Sequence, residues 1–333
     1  MDRIAVIGAG SWGTTVAALA VATTRVTLWA RREELAVAIN ERGVNPEYLP
    51  DFHLPPGLRA THDLDEAVDG AEALVMAVPS HGFRQVFTEV ARSLGQSVPI
   101  VSLTKGIEQG TLARMTEIVA EVATDRDRAL AGVLTGPNLA EEIVAGQPTA
   151  SVIAMSDQTA VEELQRLFMG PAFRVYTNDD VIGCELGGAL KNVMAIASGM
   201  SDGLGFGDNT RATLLTRALA ELTRLGMALG GRPETFAGLA GMGDLIATCG
   251  SDKSRNHRVG SWLAQGRTLE EIVSEMRMVA EGVKTTESVL GLAEITGVDM
   301  PIATHVGLVL DGEIAPREAV LSLMTREAKA ETR

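Results

Sequence analysis

The segment VIGAGSWG places Gly8, Gly10 and Gly13 in the spacing G-x-G-x-x-G, directly after the apolar run RIAVI and directly before the helical run TTVAALAVA. Nothing else in the chain restricts its fold as strongly, because a strand that turns at once into a helix through glycines opens a βαβ unit. Gly8 permits the tight turn, Gly10 lets the backbone approach a pyrophosphate at the helix N-terminus, and Gly13 lets helix and strand pack closely. The context predicts a dinucleotide-binding turn in the first βαβ unit.

The rest of the first half fits that start. Short apolar runs, RVTLWA, ALVMAV, IVSLT, AGVLTG and ASVIAM, alternate with helical patterns, which predicts a doubly wound, mainly parallel α/β sheet of Rossmann type. Beyond FRVYTN the strands stop and helix follows helix from Asp179 onward. Asn209 is placed to cap TRATLLTRALAELTRLGMAL, Thr268 and Glu271 form a capping-box pattern, and Pro301 and Pro316 begin later helices. A chain of 333 residues accommodates two domains. The expected division is a dinucleotide-binding domain over residues 1–182 and an all-helical substrate-binding domain over 183–333, with the boundary near 178–186 and neither a tandem repeat nor a low-complexity linker.

Which dinucleotide is decided at the end of the second strand. An NAD enzyme of this fold usually carries Asp or Glu there to accept from the ribose 2′-hydroxyl, whereas this chain reads LWARREE. Arg31 and Arg32 offer forked donors to a 2′-phosphate, so NADP(H) is the preferred cofactor, with NAD(H) possible.

Charge limits the partners. With a net charge of −14 and only 4% aromatic residues, the chain repels nucleic-acid backbones and lacks stacking platforms, so any phosphate must be held by a local cluster of donors. Small phosphorylated ligands remain open. Cys184 and Cys249 make no disulfide framework, and the five histidines show no metal-ligand spacing, so no metal is expected. The start MDRIAVIGAG enters a strand without a basic segment or cleavage site, and no apolar run is expected to reach bilayer-spanning length. A cytoplasmic location without a membrane span is the expectation.

In GGALKNVM, Lys191 stands alone among apolar residues, with no other charge between Glu185 and Asp202. On a helical wheel Leu186, Ala189, Leu190, Val193, Ile196 and Ala197 gather opposite it as a core stripe. Its own face holds Cys184, Gly187, Gly188, Met194, Ala195 and Ser198, small or neutral where a solvated face would carry charges. The wheel leaves two readings open, an ammonium that escapes to solvent and one approached by something other than water.

Donors gather again in GLAGMGDLIATCGSDKSRN, where Asp244 could orient an ammonium and Ser254, Arg255 and Asn256 could grip a phosphate, although a capped surface turn reads equally well. Lys105 follows IVSLT, and Gly136 and Asn138 follow the next strand. Both places lie at the carboxyl ends of strands, where open α/β sheets bind their ligands.

GAGSWGT, AVPSHGFR, LTKGIE, GPNLAEEI, ELGGALKNVMAIASGMSDGLGFGDNTRATLLTRALAE, GLAGMGDLIATCGSDKSRN and VAEGVKT follow one another as in the NAD(P)-dependent glycerol-3-phosphate dehydrogenases of bacterial type, and the resemblance spans nearly the whole chain. It implies reversible hydride transfer between NAD(P)H and dihydroxyacetone phosphate, giving sn-glycerol 3-phosphate for phospholipid synthesis, by a homodimer. It implies that Lys191 donates and accepts the proton and that Lys105 and Asp244 serve the same chemistry. Lys105, Lys191, Asp244, Thr248, Arg255 and Asn256 would line the substrate site with Gly136 and Asn138 beside it, and Ser254 joins them from its place in the donor-rich loop. Toward the cofactor it adds Ser11, Trp12, Lys105, Ala140, Arg255, Val279 and Glu281 to the glycines and to Arg31 and Arg32. Two positions depart from the family pattern, Ala218 where glycine is usual and Asn138 where a small hydroxyl residue is common.

Two other readings stand beside this one. A β-hydroxyacid dehydrogenase also carries G-x-x-x-K, but it needs Asn four residues after the lysine, and position 195 is alanine. A non-catalytic NADP-binding sensor would have no use for Lys191, Asp244 and Arg255 together.

Overall fold

The computed structural model describes residues 1–276, 280–328 and 330–331. Its strands are β1 Arg3–Ile7, β2 Arg25–Trp29, β3 Val44–Asn45, β4 Leu49–His53, β5 Arg59–Thr61, β6 Ala73–Met76, β7 Ile100–Ser102, β8 Ala131–Thr135, β9 Thr149–Met155 and β10 Phe173–Asn178. The helices of the first half are α1 Ser11–Ala20, α2 Glu33–Arg42, α3 Leu64–Val68, α4 Ser80–Val90, α5 Met115–Val122, α6 Ala140–Val144 and α7 Gln158–Phe168. Those that follow are α8 Val181–Gly203, α9 Asp208–Ala228, α10 Pro233–Ala237, α11 Asp244–Cys249, α12 Arg255–Ala264, α13 Leu269–Glu275, α14 Glu281–Thr296, α15 Pro301–Leu310 and α16 Pro316–Met324.

One eight-stranded sheet has the order β10-β9-β8-β7-β6-β1-β2-β5, and every neighbouring pair is parallel except β8 with β9. Each apolar run expected to form a strand does so. They are legible because parallel strands covered on both faces must be apolar throughout, as in β1, where Ile4, Ala5, Val6 and Ile7 are fully buried. Helices α1 and α7 pack on one face of the sheet, and α3, α4 and α5 on the other. The hairpin β3-β4 and the edge strand β5 were not anticipated. They are short and half polar, and contain no apolar run to read.

The antiparallel turn of β9 decides where the next helix begins. Thr135, at the carboxyl end of β8, lies level with Val152 near the start of β9, and β10 runs with β9, so Asn178 lies at the opposite edge of the sheet. Helix α8 starts there, capped by Asp180, whose Oδ1 accepts from Gly183 N at 2.9 Å. It then climbs back along the sheet: Cys184 packs with Val133 and Ala154, and a Cβ on Gly188 would lie 2.8 Å from Thr135 Oγ1. Ten residues of α-helix rise about 15 Å, which brings Lys191 to the carboxyl edge.

Among the described residues no strand follows Asn178. Helix α8 forms the axis of a second core, with Leu186, Ala189, Leu190, Val193 and Ile196 in the apolar cluster. Its other face is covered too, since 89% of its most apolar stretch is buried. This helix is long and apolar enough to cross a bilayer, contrary to the expectation that no run would be, but its apolarity is that of a helix enclosed by protein. The capping box of Thr268 and Glu271 forms, and Pro301 and Pro316 open α15 and α16. Asn209 is not a cap. Gly207 precedes the first turn of α9 in extended conformation, and Asn209 already lies inside the helix, its carbonyl accepting from Thr213 Oγ1.

Candidate active site

Lys191 is met almost wholly by protein. Its side chain is 7% exposed, and Nζ donates to Asp244 Oδ1 and to Thr248 Oγ1. Asp244 opens α11 and is 1% exposed; Thr248, one turn later, donates to the same Oδ1 at 3.2 Å. The second carboxylate oxygen is held from across the fold by Lys105, on the loop after β7, with Nζ 2.6 Å from Oδ2 and 2.8 Å from Gly136 O. One carboxylate between two ammoniums leaves a buried cluster with an excess of positive charge, which is what a developing oxyanion or a phosphate attracts. Loss of hydration pulls the Lys105 ammonium down to about 8; Asp244 opposes that fall and the neighbouring Lys191 adds to it.

The small face of α8 is what admits this second lysine. Gly188 lies against Thr135 and the stem of Lys105, so a larger side chain there would push the sheet loop away. Asn192, beside Lys191, donates to Lys105 O at 2.9 Å and accepts from Asn256 Nδ2 at 2.9 Å, while Asn256 Oδ1 accepts from Gly282 N at 2.9 Å. Asn256 thereby ties α8, α12 and α14 together and keeps its second Nδ2 N–H to donate. Ser254 caps α12, its Oγ accepting from His257 N at 3.3 Å, which leaves its O–H to donate. Arg255, the first residue of α12, opens to solvent while protein crowds its guanidinium; that loss of hydration lowers its pKa against the pull of Glu281 and Tyr48.

Beyond β8, Gly136 takes a φ of 130° and Asn138 Oδ1 accepts from Ser151 Oγ. Asn138 Nδ2 and Thr135 Oγ1 are buried without hydrogen-bond partners among the described residues. These two groups and the lysine cluster line one end of the sheet.

The glycine turn lies at the same edge. Gly8 has a φ of 119°, and a Cβ there would come within 2.5 Å of Ala77 O; a Cβ on Gly13 would meet Gly8 O at 2.0 Å. Gly10 has nothing within 4 Å of its Cβ position. It caps α1 without a side-chain bond, and no acidic residue occupies the first turn, so the helix amides and dipole are left for an anion. This cradle fits the pyrophosphate of a dinucleotide. Ser11 Oγ donates to Tyr48 O at 3.1 Å, and Trp12 stacks obliquely on Phe173 with Nε1 buried and without a partner among the described residues. Ala140 begins α6, whose first carbonyl lies 3.5 Å from Thr15 Oγ1 of α1. Arg31 and Arg32 stand exposed between β2 and α2, and Arg32 pairs with Glu47. Glu281, at the start of α14, accepts from Ser80 Oγ at 2.6 Å and from Ser80 N at 3.3 Å, joining α14 to α4. Val279 lies outside the described residues.

Three participants escaped the sequence reading. Ser80 opens α4, four residues past the carboxyl end of β6, where the rule for open sheets could have found it. Asn192 is hidden by its neighbour Lys191. Asn45, fully buried, holds the β3-β4 turn against the glycine loop by donating to Ala9 O at 2.9 Å and to Thr14 Oγ1 at 2.8 Å, and VNPEY carries no sign of that role.

Residues 3–161 match the family model for the N-terminus of NAD-dependent glycerol-3-phosphate dehydrogenase, and residues 180–321 match the model for its C-terminus. The chain is 55% identical over 311 residues to glycerol-3-phosphate dehydrogenase (NAD(P)+) 2 of Sphingopyxis alaskensis, covering 93% of this chain and 92% of the relative. It is 51% identical over 331 residues to glycerol-3-phosphate dehydrogenase (NAD(P)+) of Geobacter sulfurreducens, covering 99% of each. The crystal structure of glycerol-3-phosphate dehydrogenase from Coxiella burnetii superposes with a TM-score of 0.92 at 38% identity, over 98% of this chain and 99% of that one.

Proposed function

The chain belongs to the NAD-dependent glycerol-3-phosphate dehydrogenase family, and from that premise we propose that Lys191 is its general acid and base. The enzyme is an NAD(P)-dependent oxidoreductase, and its relatives favour this activity over a β-hydroxyacid dehydrogenase or a non-catalytic sensor. The observation that carries the residue assignment is the ammonium of Lys191, held by Asp244 and Thr248 at the carboxyl edge of the sheet, which the glycine turn shares.

The nicotinamide, when bound, supplies a hydride to C2 of dihydroxyacetone phosphate or takes it back from glycerol 3-phosphate. As C2 gains the hydride its oxygen gains negative charge, and Lys191 donates the proton that makes it a hydroxyl. The lysine is left as a neutral amine, in contact with Asp244 and Thr248, and takes its proton back from solvent. In oxidation the amine accepts the hydroxyl proton. Asp244 fixes the position of Nζ, and Lys105 adds positive charge toward the substrate through the other carboxylate oxygen.

Arg255, with the Ser254 hydroxyl and the first amides of α12, is the anchor for the substrate phosphate. Gly136 and Asn138 complete the wall, with Asn138 Nδ2 as a donor. Asn256 lines the substrate site with its remaining Nδ2 N–H, held in place through Asn192 and Gly282. Gly8, Gly10, Gly13, Ser11, Trp12 and Ala140 receive the dinucleotide, Glu281 closes α14 over it, and Arg31 and Arg32 take the 2′-phosphate and favour NADP(H). Residues 1–182 carry the cofactor and 183–333 the substrate, a division supported by the end of the last strand at Asn178. A homodimer and a cytoplasmic location belong to the same proposal. Oxidation of NADPH and of NADH in the presence of dihydroxyacetone phosphate tests the activity, and turnover with neither cofactor would overturn it.

A further inference from the structure

Arg32 already has an anionic partner. It stands at the N-cap of α2, and its guanidinium donates to the carboxylate of Glu47, which also holds its pKa up. Glu47 lies in the turn between β3 and β4, and both ends of this pair are fixed relative to the cofactor turn. On one side, Gly8 N donates to Trp29 O at 3.0 Å, three residues before Arg32. On the other, Asn45 Oδ1 accepts from Tyr48 N at 3.1 Å and from Glu47 N at 3.4 Å, its Nδ2 grips Ala9 O and Thr14 Oγ1, and Tyr48 O accepts from Ser11. The β3-β4 turn is thereby pinned to the glycine loop, and Glu47 is presented to Arg32 by buried and half-buried polar bonds, not by a chance surface encounter.

We propose that Glu47 is a specificity-determining residue that competes with the 2′-phosphate of NADP(H) for Arg32 and so keeps NAD(H) usable. The inference rests on the assignment of Arg32 to the 2′-phosphate. A 2′-phosphate must share the guanidinium with the carboxylate or take it over, and in either case it lies beside a like charge. A 2′-hydroxyl makes neither demand, and the pair persists. The side chains of Arg32 and Glu47 are 50% and 39% exposed, so the exchange costs little, and the effect on binding is a few-fold change, not a switch.

The test measures dissociation constants by calorimetry for NADPH, NADH and adenosine 2′,5′-bisphosphate with the full chain, Glu47→Gln, Arg32→Ala and the double variant. Glu47→Gln is expected to tighten NADPH and the bisphosphate about two- to fivefold and to move NADH much less. The gain should vanish in the Arg32→Ala background, which a change in loop stability alone would not produce. No gain, an equal gain for NADH, or a gain that survives without Arg32 overturns the proposal. If Arg32→Ala itself weakens NADPH and NADH equally, the assignment of Arg32 fails and takes this inference with it; if it discriminates and Glu47→Gln does not, the inference fails alone.

Discussion

Lys105 and Lys191 hold the two oxygens of one carboxylate: Lys105 reaches Oδ2 of Asp244 from the sheet, and Lys191 reaches Oδ1 from the middle of α8. The residue that would move the proton and the loop that follows the central strands are thus joined through a single side chain.

Replacing Lys191 by methionine keeps the apolar stem and removes the donor. The turnover number should fall by about 10² to 10⁴ while NADPH binding, measured by fluorescence or calorimetry, stays near that of the parent. Near-normal turnover would reduce Lys191 to a structural partner of Asp244.

Lys105 supplies a pH signature. Its ammonium is charged below about 8 and neutral above, so kcat/KM for the ketone should decline as pH rises through that region. In Asp244→Asn the main influence that opposes desolvation is gone, and the decline should begin at lower pH. A pH profile unchanged in both Asp244→Asn and Lys105→Met would show that Lys105 has no part in the reduction.

The phosphate anchor is tested by comparing dihydroxyacetone phosphate with dihydroxyacetone. Arg255→Leu should lower kcat and raise KM for the phosphate ester, a combined loss of at least about 3 kcal/mol if two charge-assisted bonds go, and should change the poor rate with the unphosphorylated ketone far less. NADPH affinity is measured in the same variant and its loss subtracted. Equal damage to both ketones would remove Arg255 from the phosphate site.

Away from the site, Glu221 is 2% exposed and caps α15, accepting from Ile302 N at 2.9 Å. Loss of hydration pushes its carboxyl up to about 7 against those amide bonds. The folded state therefore holds the proton more tightly than the unfolded chain, so the associated stability is fully present below about 4.5 and is lost as pH rises to about 7. Denaturant unfolding at pH 5 and pH 8 should show a difference up to about 3 kcal/mol smaller in Glu221→Gln than in the parent. An identical difference would mean that Glu221 does not carry this dependence.

Much of the fold was legible because burial on two faces leaves a local mark. Strands such as Ala73–Met76 must be apolar at every position, and a glycine turn between strand and helix announces itself within eight residues. Lys191 was conspicuous for the same reason, as a charge among residues chosen for packing. The remaining features depend on distant pairs. Nothing near Lys105 points to Asp244, 139 positions away, and nothing near Ser80 points to Glu281, 201 positions away. Ser254 and Asn256 were legible as donors but not as a helix cap and a three-helix tie, because a polar side chain in a glycine-rich loop looks the same in either role.

The reversal of direction at β9 has a consequence for chain length. Because α8 starts from its cap at Asp180 on the far edge of the sheet, the position of the lysine is set by counting residues along a rigid rod, as on a ruler whose zero is that cap. One residue inserted between Asp180 and Lys191 would swing the ammonium by about 100° and lift it about 1.5 Å, away from Asp244. The same insertion at Gly205, past the end of the helix, would leave it where it is. Variants of this enzyme that differ in length should therefore concentrate their gains and losses in the connections and leave this span of the chain with an invariant residue count.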